Sequence, residues 1–430
     1  MEAQKGGDNT ERAYICIDLK SFYASVECVE RGLDPFETDL VVADPTRSKS
    51  TICLAITPAM KQKGVKNRCR IHEIPPDLKY ITAIPRMQLY IDYSAYIYGI
   101  YLRYVAPEDI HVYSIDECFI DVSAYLALYH RTAKELAEEL MGAVLEETGI
   151  TATAGVGTNL YLAKIAMDIV AKHVEDHIGV LDEYAFRKKL WDHKPMTDFW
   201  MIGSGTERRL ARYGMYTMGD VARASLTSED FLWKLFGVDA ELLIDHAWGV
   251  EPCRMEDIKQ YHTKAHSLSN GQVLMRNYTY QEALVILMEM TDLLTLDLVK
   301  KGLAAESFTI WISYDHRFGL PGSGGTVNMG TVTNSSKRIR CAVEELYLHI
   351  VDRFTGIRRL NICANKVMAE GYMQYDLFSD PGELDKERSL QEAILQVHGR
   401  YGKNAIRRGT SLLDCSTYVE RNCQIGGHRA

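Results

Sequence analysis

The stretch Val112 to Asp121 constrains this chain more than any other. It reads Val-Tyr-Ser-Ile-Asp-Glu-Cys-Phe-Ile-Asp. β-Branched and aromatic residues flank an adjacent acidic pair, Asp116 and Glu117. That pattern predicts two short strands, with Ser114-Ile115-Asp116-Glu117 as the bend between them. Carboxylates at the tip of a rigid hairpin are placed to hold a divalent cation. Mg²⁺ takes hard oxygen ligands and usually keeps one or two carboxylates plus substrate phosphates. A solvated acidic turn is the alternative reading of the same residues.

A second carboxylate has a matching context. Tyr14-Ile15-Cys16-Ile17 reads as a buried strand, and Asp18 sits at its end. Ser21 could cap a helix with Phe22, Val26 and Val29 inward. An Asp where a strand hands over to a helix points out of the sheet, and the amides at the helix start suit a phosphate.

Taken together, Asp18-x-x-x-Phe22-Tyr23-Ala24-x-Val26-Glu27 and Ser114-Ile115-Asp116-Glu117 resemble the motifs of the Y-family translesion DNA polymerases, in their UmuC-like branch. The resemblance extends through Lys366. It implies an α+β multidomain right hand with palm, fingers, helical helix-hairpin-helix thumb and little-finger domain. It also implies template-directed, low-fidelity DNA synthesis across damage, without proofreading, from a dNTP to a primer 3′-hydroxyl. By this resemblance Asp18, Asp116 and Glu117, with Leu19, ligate two Mg²⁺ ions. Phe22, Tyr23, Lys61 and Lys164 meet the nucleotide, and Tyr23 is a steric gate against a 2′-hydroxyl. Where the family offers a Tyr and an Arg to the triphosphate, this chain has Pro58 and Lys61. A Lys pairs with phosphate as a point charge, without bidentate geometry. The alternatives are a core aromatic for Tyr23 and solvated helix-surface lysines for Lys61, Lys164 and Lys172.

At 430 residues the chain is expected to hold two to four domains of about 100–200 residues each. Residues 1–13 are expected as a flexible tail, 14–21 with 87–172 as the palm, and 22–86 as the fingers. Strand, helix, hairpin, helix, strand and helix then fit a mixed sheet with helices on one side. Thr132 to Thr148 is an amphipathic helix with Leu136, Leu140 and Val144 inward. The segment 173–250, with Ile202-Gly203-Ser204-Gly205, resembles a helix-hairpin-helix thumb in which Ile202, Gly203 and Gly205 meet a DNA phosphate; a packing turn is the alternative. A linker is expected over 251–262. The stretch 263–369 reads strand, helix, strand, strand, helix, strand, matching a little finger, with Arg276, Lys337, Arg338 and Arg340 towards the DNA backbone. A ferredoxin-like interaction domain is the alternative. In the tail 370–430, Gln374, Leu377 and Phe378 resemble a sliding-clamp-binding peptide. A later helix has Leu390, Ala393, Ile394 and Val397 on one face.

The net charge of −9 argues against a nucleic-acid binder taken whole. Local clusters such as Arg353, Arg358 and Arg359, or Lys403, Arg407 and Arg408, set phosphate affinity instead. The ten cysteines form no Cys-x-x-Cys pair, so a zinc site is not expected and the pattern is that of a reduced, cytoplasmic protein. No run of the ~18 apolar residues that a membrane span needs is present. Two other functions stay open. One is a UmuC-like DNA- and clamp-binding subunit that needs SOS-type accessory subunits. The other is a nucleotide cyclase, which shares the sheet and carboxylates but needs neither a DNA-binding hairpin nor a clamp peptide.

Overall fold

A computed structural model describes residues 12–47, 51–261, 266–372 and 380–430, in two units, Met1–Tyr261 and His262–Ala430. In the first unit the apolar run forms β1 (Tyr14–Leu19). Ser21, at φ 49°, turns the chain into α1 (Phe22–Val29). A small sheet follows, with β2 (Leu40–Val42) between antiparallel β3 (Ala55–Ile56) and parallel β4 (Ile81–Ala83). Between β3 and β4 lies α2 (Pro58–Gln62), with Pro58 in the first turn, where no amide is needed.

Next come α3 (Met87–Tyr101) and the acidic hairpin, β5 (Ile110–Val112) and β6 (Glu117–Asp121). After short α4 (Leu126–Tyr129), α5 (Ala133–Thr148) is closed at its start by a capping box. The Glu135 amide donates to the Thr132 hydroxyl at 3.2 Å, and the Thr132 amide donates to the Glu135 carboxylate at 2.7 Å. Then follow β7 (Ala152–Gly157), α6 (Leu160–Ile165) and β8 (Ile178–Leu181). The Asn159 side chain caps α6 by accepting from the Leu162 amide at 2.8 Å.

The large sheet has the order β5-β6-β1-β7-β8, antiparallel except for β7 with β8. Its fifth strand lies beyond residue 172. Helices on one side only were expected, and here the structure corrects the sequence. β1 is buried on both faces, with α6 against one and α5 against the other. α6 comes close enough that its strands must be glycine. A Cβ on Gly155 would stand 2.0 Å from the Ala163 carbonyl oxygen, one on Gly157 2.2 Å from the Ala163 nitrogen, and one on Gly179 2.1 Å from the Ala166 carbonyl oxygen. Past α6 the helix widens into a π turn at Ala166–Val170.

Four helices, α7 (Glu183–Leu190), α8 (Ser204–Ala211), α9 (Met218–Phe236) and α10 (Asp239–Trp248), enclose Phe186, Phe199, Leu210, Met218 and Leu232. The stretch 251–262, expected as an irregular linker, instead carries α11 (Met255–Gln260). Its first turn is held by the Arg254 amide donating to Asp257 at 2.9 Å, and Met255 is buried with Tyr14, Cys16 and Phe119.

The second unit runs β9 (Ser267–Tyr278), α12 (Tyr280–Lys300), β10 (Leu303–Tyr314), β11 (Ser323–Thr333), α13 (Ser336–Ile350) and β12 (Ile357–Asn365). The antiparallel sheet has the order β11-β10-β12-β9. Both helices pack on one face, around Ile286, Leu287, Phe308, Ile310, Val343 and Ile362. A short β13 (Met368–Ala369) pairs with β10, and α14 (Pro381–Tyr401), α15 (Tyr418–Asn422) and a hairpin of β14 (Gln424–Ile425) with β15 (His428–Arg429) complete the unit.

α14 does not dock by its apolar face alone. Leu390 is 60% exposed and Ala393 is exposed, while Gln391 is buried and donates to the Asn334 carbonyl at 3.1 Å. The reason is polar. Glu387 accepts from the Ser335 hydroxyl at 2.7 Å and the Lys337 amide at 2.9 Å, so α14 caps the start of α13 with its charged side.

Candidate active site

Strand register brings the acidic residues together. Asp18 stands directly opposite Glu117 in the β1–β6 ladder, and the Leu19 amide donates to the Asp116 carbonyl at 2.9 Å. Directly opposed residues share a face of the sheet, so Asp18 and Glu117 both look towards α6. Leu19 has a buried side chain, so any ligand it offers is its backbone carbonyl.

Burial, then the charges of Asp116 and Glu117, push the Asp18 carboxyl up to about 7. Among the described residues none donates a hydrogen bond to that carboxylate. A crowded acid without a donor is one whose charge a cation would stabilise, and this is the respect in which the residues fit a divalent ion. Their present side-chain arrangement is open. Glu117 is turned onto Lys164, and Asp116 accepts from the Ser114 hydroxyl at 2.7 Å. Among the described residues no three His, Cys, Asp or Glu side chains stand close enough to hold an ion between them. Like charges repel at this range, so gathering the three needs a cation between them, while Glu117 now spends charge on Lys164.

Lys164 is not a helix-surface lysine. It is 6% exposed, and its ammonium lies between Glu117 and Asp168, 3.1 Å from the latter. Tyr23 stacks on Tyr90 with ring centroids 4.5 Å apart and tilts against Phe22 at 5.8 Å. Burial raises its phenol and the nearby Asp116 adds to this, while Arg68 opposes it. Phe22 is 2% exposed and serves the core with its side chain. Lys61, exposed on α2, is within electrostatic range of Asp18 and Lys172. Lys20 joins them: burial lowers its ammonium, Asp18 opposes that, and Lys61 adds to it.

Sequence reasoning passed over Lys20, Arg68, Tyr90 and Asp168. Asp168 had a signal, its i,i+4 spacing from Lys164. Tyr90 had none, because its place beneath Tyr23 depends on how α1 and α3 pack.

Other expected contacts are dispersed. Ile202 is buried in the four-helix core, while Gly203 and Gly205 at the start of α8 are exposed with open space about them. Lys337 is exposed beside Glu383. Arg338 donates to the Thr331 hydroxyl at 3.3 Å, and Arg340 pairs with Asp292 at 2.6 Å. These three lie on the helical side of the second unit and not on its exposed sheet face. That face carries Ser269, Val273, Thr309, Trp311, Thr326, Asn328, Arg359 and Asn361. Gln374, Leu377 and Phe378 lie outside the described residues.

Comparison with known proteins shows the family. Residues 17–168 match the sequence model of the impB/mucB/samB family, and 265–377 match that family's C-terminal domain. DNA polymerase IV 2 of Bacillus subtilis (strain 168) is 30% identical over 421 residues, covering 97% of this chain and 99% of that one. The chain belongs to the Y family of DNA polymerases. The putative UV-damage repair protein UvrX of the same organism is 28% identical over 422 residues, covering 97% of each chain. A solved Y-family DNA polymerase chimera shares the fold, with a TM-score of 0.62 and 22% identity over 83% of this chain and 99% of that one. As a Y-family enzyme the chain is a DNA-directed DNA polymerase, acting on primer-template DNA and dNTPs with a divalent metal. No helix among the described residues is long and apolar enough to cross a membrane.

Proposed function

We propose that this Y-family polymerase carries out low-fidelity translesion synthesis without proofreading, with Asp18, Asp116 and Glu117 as the residues that hold two Mg²⁺ ions. The observation that carries the reading is the β1–β6 register, which sets Asp18 across from Glu117 and bonds Leu19 to Asp116. Bound there, the ions would lower the pKa of the primer hydroxyl and offset charge on the leaving pyrophosphate. The protein supplies the rest. Lys164, Lys61 and the amides at the start of α1 meet the triphosphate as fixed positive charge. Tyr23, braced by Tyr90, lies under the sugar and excludes a 2′-hydroxyl by contact.

We assign the large sheet as palm, the small β2–β3–β4 sheet with α2 as fingers, α7 to α10 as thumb, and β9 to β12 with their helices as little finger. In the thumb, Gly203 and Gly205 leave the start of α8 open to a backbone phosphate, with Ile202 anchoring the turn from within. In the little finger, the exposed sheet face offers hydroxyls, amides and Arg359 to a duplex. Damage bypass agrees with the repair role in the name of the UvrX relative. Gln374, Leu377 and Phe378 are proposed as a clamp-binding peptide on sequence alone.

Primer extension by the purified chain on a template with an abasic site tests the reading. Metal-dependent extension past the site is expected, and Asp116→Ala is expected to abolish it. Extension by the chain alone also separates a self-sufficient polymerase from a subunit that needs SOS-type partners. Activity undiminished in Asp116→Ala refutes the assignment of the acids.

A further inference from the structure

Lys164 is served by two carboxylates, and only Glu117 belongs to the ion-binding set proposed above. The second, Asp168, comes from the π turn that follows α6 and stands 3.1 Å from the ammonium. The backbone that carries both residues is pressed onto the strands at Gly155, Gly157 and Gly179, so its position is not free to drift. In that turn the Ala171 amide donates to the Ala166 carbonyl five residues back, the wide spacing often found at functional sites. The Lys164 side chain is 7% exposed, so water does little to stabilise its charge. A buried ammonium with no carboxylate partner is costly, and it would hold whichever acid remained.

We infer that Asp168 is a positioning residue for nucleotidyl transfer. It keeps the Lys164 ammonium in place when Glu117 turns to a divalent ion, so the same lysine stays at the site edge to meet the triphosphate. The inference rests on the reading of Asp18, Asp116 and Glu117 as the ion-binding set. Without Asp168, Lys164 would retain Glu117 and compete with the ion for it. Asp168 acts through Lys164 and does not itself touch the substrate.

The test is Mn²⁺ titration of the full chain without DNA or nucleotide, read by the electron paramagnetic resonance of free Mn²⁺, beside steady-state primer extension. Asp168→Asn is expected to weaken Mn²⁺ binding about 10-fold. It should raise the KM for dNTP similarly and change kcat much less. Asp168→Glu should restore most of both. Lys164→Met frees Glu117 and should tighten Mn²⁺ binding, and in that background Asp168→Asn should have no further effect on it. Wild-type Mn²⁺ affinity in Asp168→Asn, or an equal loss in the Lys164→Met background, overturns the inference while leaving the ion site standing. Should Asp168→Asn fail to fold, Asp168→Ser takes its place with the same expected and overturning outcomes, and Lys164→Met tests the exchange of Glu117: tighter Mn²⁺ supports it, and equal or weaker binding overturns it. A wild-type protein that binds no Mn²⁺ refutes the ion site and this inference together.

Discussion

Tyr23 owes its place to a network centred on Glu27, one turn further along α1. Glu27 is fully buried and accepts from the Tyr90 hydroxyl at 2.7 Å and from two nitrogens of Arg86 at 2.9 Å each. That network pins Tyr90 between α1 and α3, and the Tyr23 ring rests on it. A rigid ring discriminates by contact, so Tyr23→Ala is expected to raise ribonucleotide use relative to dNTP on the order of 100-fold. Single-nucleotide incorporation with matched ATP and dATP measures it, and unchanged sugar selection would dismiss the gate. Glu282 plays a structural part in the second unit. Its carboxylate accepts from the Thr279 amide at 2.8 Å and from Arg276 at 2.6 Å, and Arg276 above all holds its pKa at about 2, below the usual 4.5. A depressed carboxyl pKa stabilises the fold above the unfolded value and loses that contribution as pH falls towards the folded one. Glu282→Ala should therefore cost about 1–2 kcal/mol at neutral pH. In urea melts of the two proteins the gap should shrink as pH drops below 4.5.

At the scale of elements, two glycine sites make opposite predictions for the same substitution. A Cβ at Gly157 would meet the Ala163 backbone nitrogen at 2.2 Å, and neither strand nor helix backbone can yield locally. Gly157→Ala is expected to cost about 2–3 kcal/mol. By shifting the helix that carries Lys164 it should also slow extension about 100-fold. Gly142 lies within α5, exposed, with nothing near its would-be Cβ. There Ala should stabilise by about 0.5–1 kcal/mol through helix propensity, with activity unchanged. Thermal unfolding and primer extension on both variants check the pair. The span of α5 was legible, since Leu136, Leu140 and Val144 recur at helical spacing. The docking of α14 was not. Its apolar period is real, but charged contacts to the start of α13 outweighed it.

Over the whole molecule, a net charge of −9 and a DNA substrate are reconciled by where charge is placed. Arg340 and Arg408 are both consumed by Asp292, at 2.6 and 2.7 Å, and so tie α13 and the segment after α14 to α12. The exposed sheet face of the second unit is nearly neutral, with small polar side chains and Trp311 lying over Gly324, where a Cβ would stand 2.1 Å from the indole. Arg359 is a cation on this face. If it meets one phosphate, Arg359→Ala should lower the slope of log affinity against log salt by about 1, uniformly across DNA sequences. Fluorescence anisotropy over a salt series measures that slope, and an unchanged slope places the phosphate contacts elsewhere.

What the sequence determined by itself was whatever neighbours along the chain can encode. That includes the strand that ends at Asp18, the bend that carries Asp116 and Glu117, the periods of the long helices, and a family motif specific enough to name the chemistry. What only the tertiary structure decided was partnership across distance: Glu117 with Lys164, Asp168 behind it, Tyr90 beneath Tyr23, and Arg340 turned to Asp292 instead of outward. Those pairings depend on strand register and on how closely a helix can approach glycine backbone, and neither is written in the spacing of residues along the chain.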